Sequence, residues 1–105
     1  MDKLEEQFHH AVMSSNEKAK TLGYNATYFQ RMLDQYGSLE TARRLLSKPG
    51  IQEGLMKLWE LDCLDESMEA LVVQQRFRPL FTEAEIAEAT RRLDELGYYN
   101  KNAND

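Results

Sequence analysis

Apolar side chains return at intervals of three and four residues along almost the whole chain, and no stretch alternates apolar with polar residues long enough to make a strand. This spacing gathers the apolar residues of each segment on one helical stripe, so the expected fold is all-α, a compact single-domain bundle of about six helices. Leu4, Phe8, Ala11, Ser15, Ala19 and Leu22 mark a long N-terminal helix from about Asp2 to Leu22. Gly23 ends it, because glycine enters the left-handed region at little steric cost. Asn25 is placed to cap the next helix, whose Tyr28, Phe29, Met32, Leu33 and Tyr36 form the most aromatic face before Gly37. Ser38 caps a short helix bearing Leu39, Ala42, Leu45 and Leu46, and Ser47-Lys48-Pro49-Gly50 stops it, since proline pushes its predecessor out of helical backbone.

Ile51, Leu55, Leu58 and Trp59 share one face of a fourth helix reaching about Leu61. Gly54 inside it costs about 1 kcal/mol relative to Ala and admits a close neighbour. Asp65 or Ser67 caps a fifth helix with Met68, Leu71 and Val72 inward, ended by Pro79, while Phe77, Leu80 and Phe81 plug the core from a bent connector. Thr82-Glu83-Ala84-Glu85 is a capping box ahead of Ile86, Ala89, Thr90, Leu93 and Leu96, and Gly97 closes this last helix. The chain divides into an N-terminal helix for docking or dimerisation (1–22), a helical module (23–97) and a fraying polar tail (98–105).

A chain of 105 residues fits one core. No apolar run approaches the roughly 18–20 residues of a membrane span, and the opening Met1-Asp2-Lys3-Leu4-Glu5-Glu6 is unlike a signal peptide, so no membrane partner and a cytoplasmic location are expected. The single Cys63 offers neither an internal disulfide nor a zinc knuckle. Net charge is -5, and it is unevenly spread: seven basic residues meet six acidic ones in 1–50, and six meet twelve in 51–105. That balance argues against a broad phosphate-binding face.

The chain resembles a short all-helical module of bacterial proteins of unknown function over residues 22–97, about three quarters of its length. The residues that carry the likeness are Leu22-Gly23-Tyr24-Asn25-Ala26-Thr27-Tyr28-Phe29, Ala42-Arg43-Arg44-Leu45-Leu46, Gly54-Leu55-Met56-Lys57-Leu58-Trp59-Glu60-Leu61, Met68-Glu69-Ala70-Leu71-Val72-Val73 and Phe77-Arg78-Pro79-Leu80-Phe81-Thr82-Glu83-Ala84-Glu85-Ile86. Such modules stand alone or are appended to restriction-type and HNH-type nucleases, so the resemblance implies architecture and company rather than a mechanism. Where the related pattern favours Gly-Arg-Leu-Asp-Leu-Thr after the tryptophan helix, this chain carries the more acidic Asp62-Cys63-Leu64-Asp65-Glu66-Ser67.

Candidate sites are few. Helical spacing sets Glu5 beside His9 and Glu6 beside His10, but two adjacent histidines point about 100° apart and do not converge on one metal ion. Cys63 has no base in a recognisable catalytic context, so its thiol is read as packing. Met13, Met56 and Val73 fall off their helices' own stripes, and with Tyr98 and Tyr99 they would form a patch for self-association or a partner groove; burial on a second side of each helix is the equal alternative. Arg43, Arg44 and Lys48 gather a basic patch that would serve nucleic-acid contact. The expected function is a non-catalytic protein–protein interaction module without cofactor or metal, self-associating or binding a larger bacterial effector. Nucleic-acid binding through the basic patch is the alternative.

Overall fold

A computed structural model describes residues 2–100, and there the helical stripes bury against one another. Five α-helices, α1 (Lys3–Thr21), α2 (Thr27–Ser47), α3 (Glu53–Glu60), α4 (Met68–Val72) and α5 (Glu83–Glu95), are joined by 3-10 turns at Leu64–Glu66 and Gln75–Leu80 and followed by one at Tyr98–Asn100. Gly37, at φ 80° and ψ 171°, breaks α2 into arms 27–36 and 38–47, so six helical rods pack together. Only glycine holds that backbone cheaply, which is why the sequence shows a stop there. The described residues contain no strand. The radius of gyration, 13.0 Å, is that of a single compact domain of this size.

The main core takes Phe8 and Val12 from α1, Leu33, Ala42 and Leu46 from α2, Leu71 and Val72 from α4, Phe77 and Phe81 from the connector and Ala89 from α5. Phe8 is its hub, meeting Phe77 and Phe81 edge-on at centroid distances of 5.2 and 5.3 Å. These geometries add about 0.5–1.5 kcal/mol per pair beyond area burial. Helix α1 thus supplies the centre of the core that it shares with the elements of 23–97.

Several local expectations are corrected. Asn25 does not cap α2; Ala26 holds the cap position without a side-chain bond, and the Asn25 carbonyl instead accepts from Thr27 N at 3.0 Å. Ser67, of the two alternatives, caps α4, accepting from Ala70 N at 3.0 Å. The fifth helix stops at Val72 rather than at Pro79, since Phe77 is drawn fully into the core and Arg78 Nε donates to Val73 O at 3.1 Å, which holds the chain in a 3-10 turn. Trp59 lies half exposed at 46%, because α3 is only eight residues long and the small cluster of Ala19, Leu58 and Cys63 gives it a narrow buried stripe. Tyr98 and Tyr99 sit in an ordered turn, while residues 101–105 of the expected fraying tail lie outside the described residues. The Thr82–Glu85 capping box forms with both of its bonds, at 3.1 and 2.8 Å.

Candidate functional site

Helices α1, α2 and α3 frame a partly open cavity of about 260 Å³. Its walls are mostly apolar: Val12 and Ala19 from α1, Phe29 and Met32 from α2, Leu55 and Leu58 from α3, with Met68 and Leu71 of α4 as the floor. Gly54 lets α3 close on the Tyr24 ring, since a Cβ there would stand 3.0 Å from the Tyr24 hydroxyl. A Cβ at Gly23 would reach Leu61 at 3.9 Å, which sets the end of α1 beside the end of α3. Tyr28, 62% exposed, stands at the mouth, and Leu22 and Trp59 add further exposed apolar surface on α1 and α3. An apolar concavity with a few polar groups is the usual form of a binding site.

The polar groups in the cavity are specific. Asn16 is buried and donates to Gln30 Oε1 at 2.8 Å, Ser15 is nine-tenths buried, and Glu53, Glu66 and Glu69 supply three carboxylates. No Lys, Arg or His lines the cavity.

Behind Glu69 lies Arg92, fully buried at 0% exposure, and sequence reasoning missed it. Its Nε donates to Glu88 at 2.6 Å and its Nη1 to Glu69 at 3.3 Å, while Nη2 donates to the carbonyls of Leu45 (3.1 Å), Leu46 (3.4 Å) and Lys48 (2.6 Å). A helix end presents orphan carbonyls and a partial negative charge, and the planar guanidinium meets both at the end of α2. Burial pushes the Glu69 carboxyl above its ordinary range, with Arg92 pulling it back. Glu88 is held down to about 2, first by its hydrogen bond from Arg91 and, against some desolvation, also by Arg92. The readable signal was positional: Arg92 falls beside Ala89 and Leu93 on the inward stripe of α5, and Glu69 interrupts an otherwise uncharged run from Ser67 to Gln75.

The structure distributes the sequence candidates as follows. Met13 and Val73 are partly buried and pack on the main core, which is the second-side burial left open by the sequence. Met56 is half buried on α3. Tyr98 and Tyr99 meet edge-on at 5.2 Å, and burial, followed by a hydrogen bond with Asp65, pushes the Tyr98 phenol up to about 12. The basic patch is engaged internally: Arg43 donates to Leu80 O at 2.9 Å and faces Glu85 at 3.8 Å. Arg44 pairs with Glu40 at 3.0 Å and stacks 3.8 Å over Tyr36, and Lys48 reaches the Tyr28 hydroxyl at 3.4 Å.

His9 Nδ1 lies 2.7 Å from Ser38 Oγ, pinning α1 to the break in α2 beside a second cleft lined by Glu5, Tyr36 and Arg43. The described residues hold no group of three or more His, Cys, Asp or Glu side chains arranged for a metal ion. Cys63 is buried, and burial followed by the carboxylates of Glu66, Asp62 and Asp65 pushes its thiol up, away from the thiolate a nucleophile needs. No helix among the described residues is long and apolar enough to cross a membrane. Compared with protein-family models, curated protein sequences and solved structures, the chain matches none.

Proposed function

We propose that this chain is a non-catalytic protein-interaction module of the cytoplasm, and that it takes one amphipathic helical segment of a partner into the groove between α1, α2 and α3. The observation that carries the reading is the open apolar cavity of about 260 Å³ with Tyr28 exposed at its mouth. Val12, Ala19, Phe29, Met32 and Leu58 turn hydrocarbon toward that space, and a partner's apolar side chains are what would fill it. The walls are helices whose backbone groups are already bonded to one another, and no strand among the described residues offers an edge to an extended peptide. A helical partner satisfies its own backbone and brings apolar anchors at three- and four-residue spacing. The resemblance to modules found beside restriction-type and HNH-type nucleases supports a bacterial effector as the protein that bears this segment.

Nucleic-acid binding is the weaker reading, because Arg43 and Arg44 already face carboxylates and Lys48 rests on an aromatic ring. The test is a photo-crosslinking residue at Tyr28, expressed in the native host with and without Ser15→Leu to fill the cavity. Adducts that vanish when the cavity is filled support the groove. Adducts of equal yield in both, or none in either, refute it.

A further inference from the structure

We infer that the segment entering this groove is a basic amphipathic helix, and that one of its lysines lays its stem against Tyr24 and Phe29 with its ammonium group facing Glu69. The inference rests on the groove reading above and goes beyond it in naming the partner's charge. Three observations carry it.

The first is the lining. Glu53, Glu66 and Glu69 face the cavity without any basic side chain among its walls. Among the described residues Glu53 and Glu66 belong to no ion pair, nor do their neighbours Asp62 and Asp65, whereas Arg43, Arg44, Arg91 and Arg92 each have a carboxylate partner. The arginines nearest this corner are paired inside the fold, the unpaired cations among the described residues, such as Lys18, Arg31 and Lys48, do not line the cavity, and its carboxylates Glu53 and Glu66 stand without a cation, which is the complementarity that selects a basic partner.

The second is the buried charge. Glu69 is 4% exposed, lines the cavity, and receives a single side-chain donor, Arg92 Nη1, at 3.3 Å. That is long for a charge-assisted bond, and the same guanidinium also serves Glu88 at 2.6 Å. Glu88 is served by Arg91 as well, at 2.7 Å, so of the two carboxylates around Arg92 it is Glu69, on the cavity side, that is held by one long side-chain bond alone. The negative potential reaches the surrounding groups: after burial itself, Glu53 raises the Tyr24 phenol, and Glu66, Asp62 and Asp65 raise the Cys63 thiol.

The third is the wall chemistry. Tyr24 and Phe29 border the cavity, while the Tyr28 ring already carries Lys48, so an entering ammonium would pass two aromatic side chains that attract it while its aliphatic stem covers apolar surface.

The test uses the full chain and three tryptophan-free model peptides of about five helical turns, amphipathic in register, made of Leu with Lys, Leu with Gln or Leu with Glu. Affinities are read by calorimetry for the wild type, for Glu53→Gln with Glu66→Gln, which leaves the Glu69–Arg92 pair intact, and for Ser15→Leu. The Leu/Lys peptide is expected to bind about tenfold tighter than Leu/Gln, which corresponds to about 1.4 kcal/mol. The double variant should bring the two within about threefold, given the modest worth of each rim charge, and Ser15→Leu should remove both. Equal affinity for Leu/Lys and Leu/Gln, each lost in Ser15→Leu, overturns the charge assignment and leaves the groove reading standing. Binding that Ser15→Leu does not touch, or no binding of any peptide, overturns both. Hexylammonium displacing the Leu/Lys peptide at equal concentration overturns the helix in favour of a free amine.

Discussion

Replacing Arg92 by Met keeps the volume of the side chain and removes every bond that its guanidinium makes. Glu69 would then be a carboxylate at 4% exposure with no cation beside it, and the carbonyls of Leu45, Leu46 and Lys48 would lose a shared donor. Breaking a buried pair from one side costs about 3–5 kcal/mol. Each carbonyl left dry costs about 1–3 kcal/mol, although Lys48 is exposed and its carbonyl can turn to water. Taking these as overlapping rather than additive, the expected loss is about 4–5 kcal/mol. A domain of this length has roughly 5–15 kcal/mol to lose, so the variant should unfold at low urea or fail to fold. The assay is urea denaturation followed by far-ultraviolet circular dichroism, with Trp59 fluorescence as a second probe. The decisive arm is the double variant. Adding Glu69→Gln to Arg92→Met removes the stranded charge and should recover about 2 kcal/mol, and Arg92→Met with Glu69→Leu should recover more. A loss below about 1 kcal/mol for Arg92→Met, or no recovery from Glu69→Gln, would refute the view that this pair ties α2, α4 and α5 together.

The two carboxylates around Arg92 predict opposite pH responses. Glu88 is held to about 2 in the fold, so its contribution is present above the ordinary carboxylate range and lost as pH falls toward 2; after allowance for its partly exposed partner Arg91, urea melts should show about 2 kcal/mol of that loss. Glu69 is raised, so stability declines as pH rises from its unfolded value to its folded one, and Glu69→Gln should flatten that limb of the profile. Ser15→Leu puts apolar volume into the cavity and should raise stability by about 1 kcal/mol in thermal melts while abolishing partner binding; a destabilised variant would mean that the walls have no room. The Thr41 hydroxyl is sealed in the interior without a hydrogen-bond partner, so Thr41→Val should stabilise by about 1 kcal/mol, and a comparable loss would show that the hydroxyl is bonded in solution.

What the sequence made legible is what local chemistry decides. The break at Gly37, the capping box at Thr82 and Glu85 and the stop at Lys48-Pro49 depend on backbone sterics and on partners three residues away, and each is found where it was read. The one-sided stripe of α1 correctly placed Phe8, Ser15 and Ala19 inward. The errors arise where a distant partner decides. A helix from Ser67 to Pro79 is permitted locally, yet Phe77 gains more by meeting the Phe8 ring than by continuing a helical turn. Trp59 shares the face of Leu55, but no element reaches out to cover it.

The groove follows the same division. The individual residues Ala19, Met32 and Leu58 read as core by periodicity, whereas Val12 fell off the stripe that was read for α1, and a gap between helices is a property of their arrangement that no spacing announces. Arg92 entered the sequence reading only as one of the counted charges, although its position on the Ala89–Leu93 stripe was the available warning. The basic patch was visible as composition. Its neutralisation by Glu40 and Glu85 was visible only in part, since Glu40 lies one turn from Arg44 while Glu85 comes from another helix.

The central claim is that recognition happens in the cavity between α1, α2 and α3, and amide chemical-shift mapping with the Leu/Lys peptide tests it most directly. Binding there predicts perturbations centred on Val12, Ala19, Ala26 and Leu55, with the Trp59 indole shifting as α3 adjusts. Perturbations centred instead on Arg43, Arg44 and Lys48, or on Met13, Tyr98 and Tyr99, with the cavity residues unmoved, would contradict it.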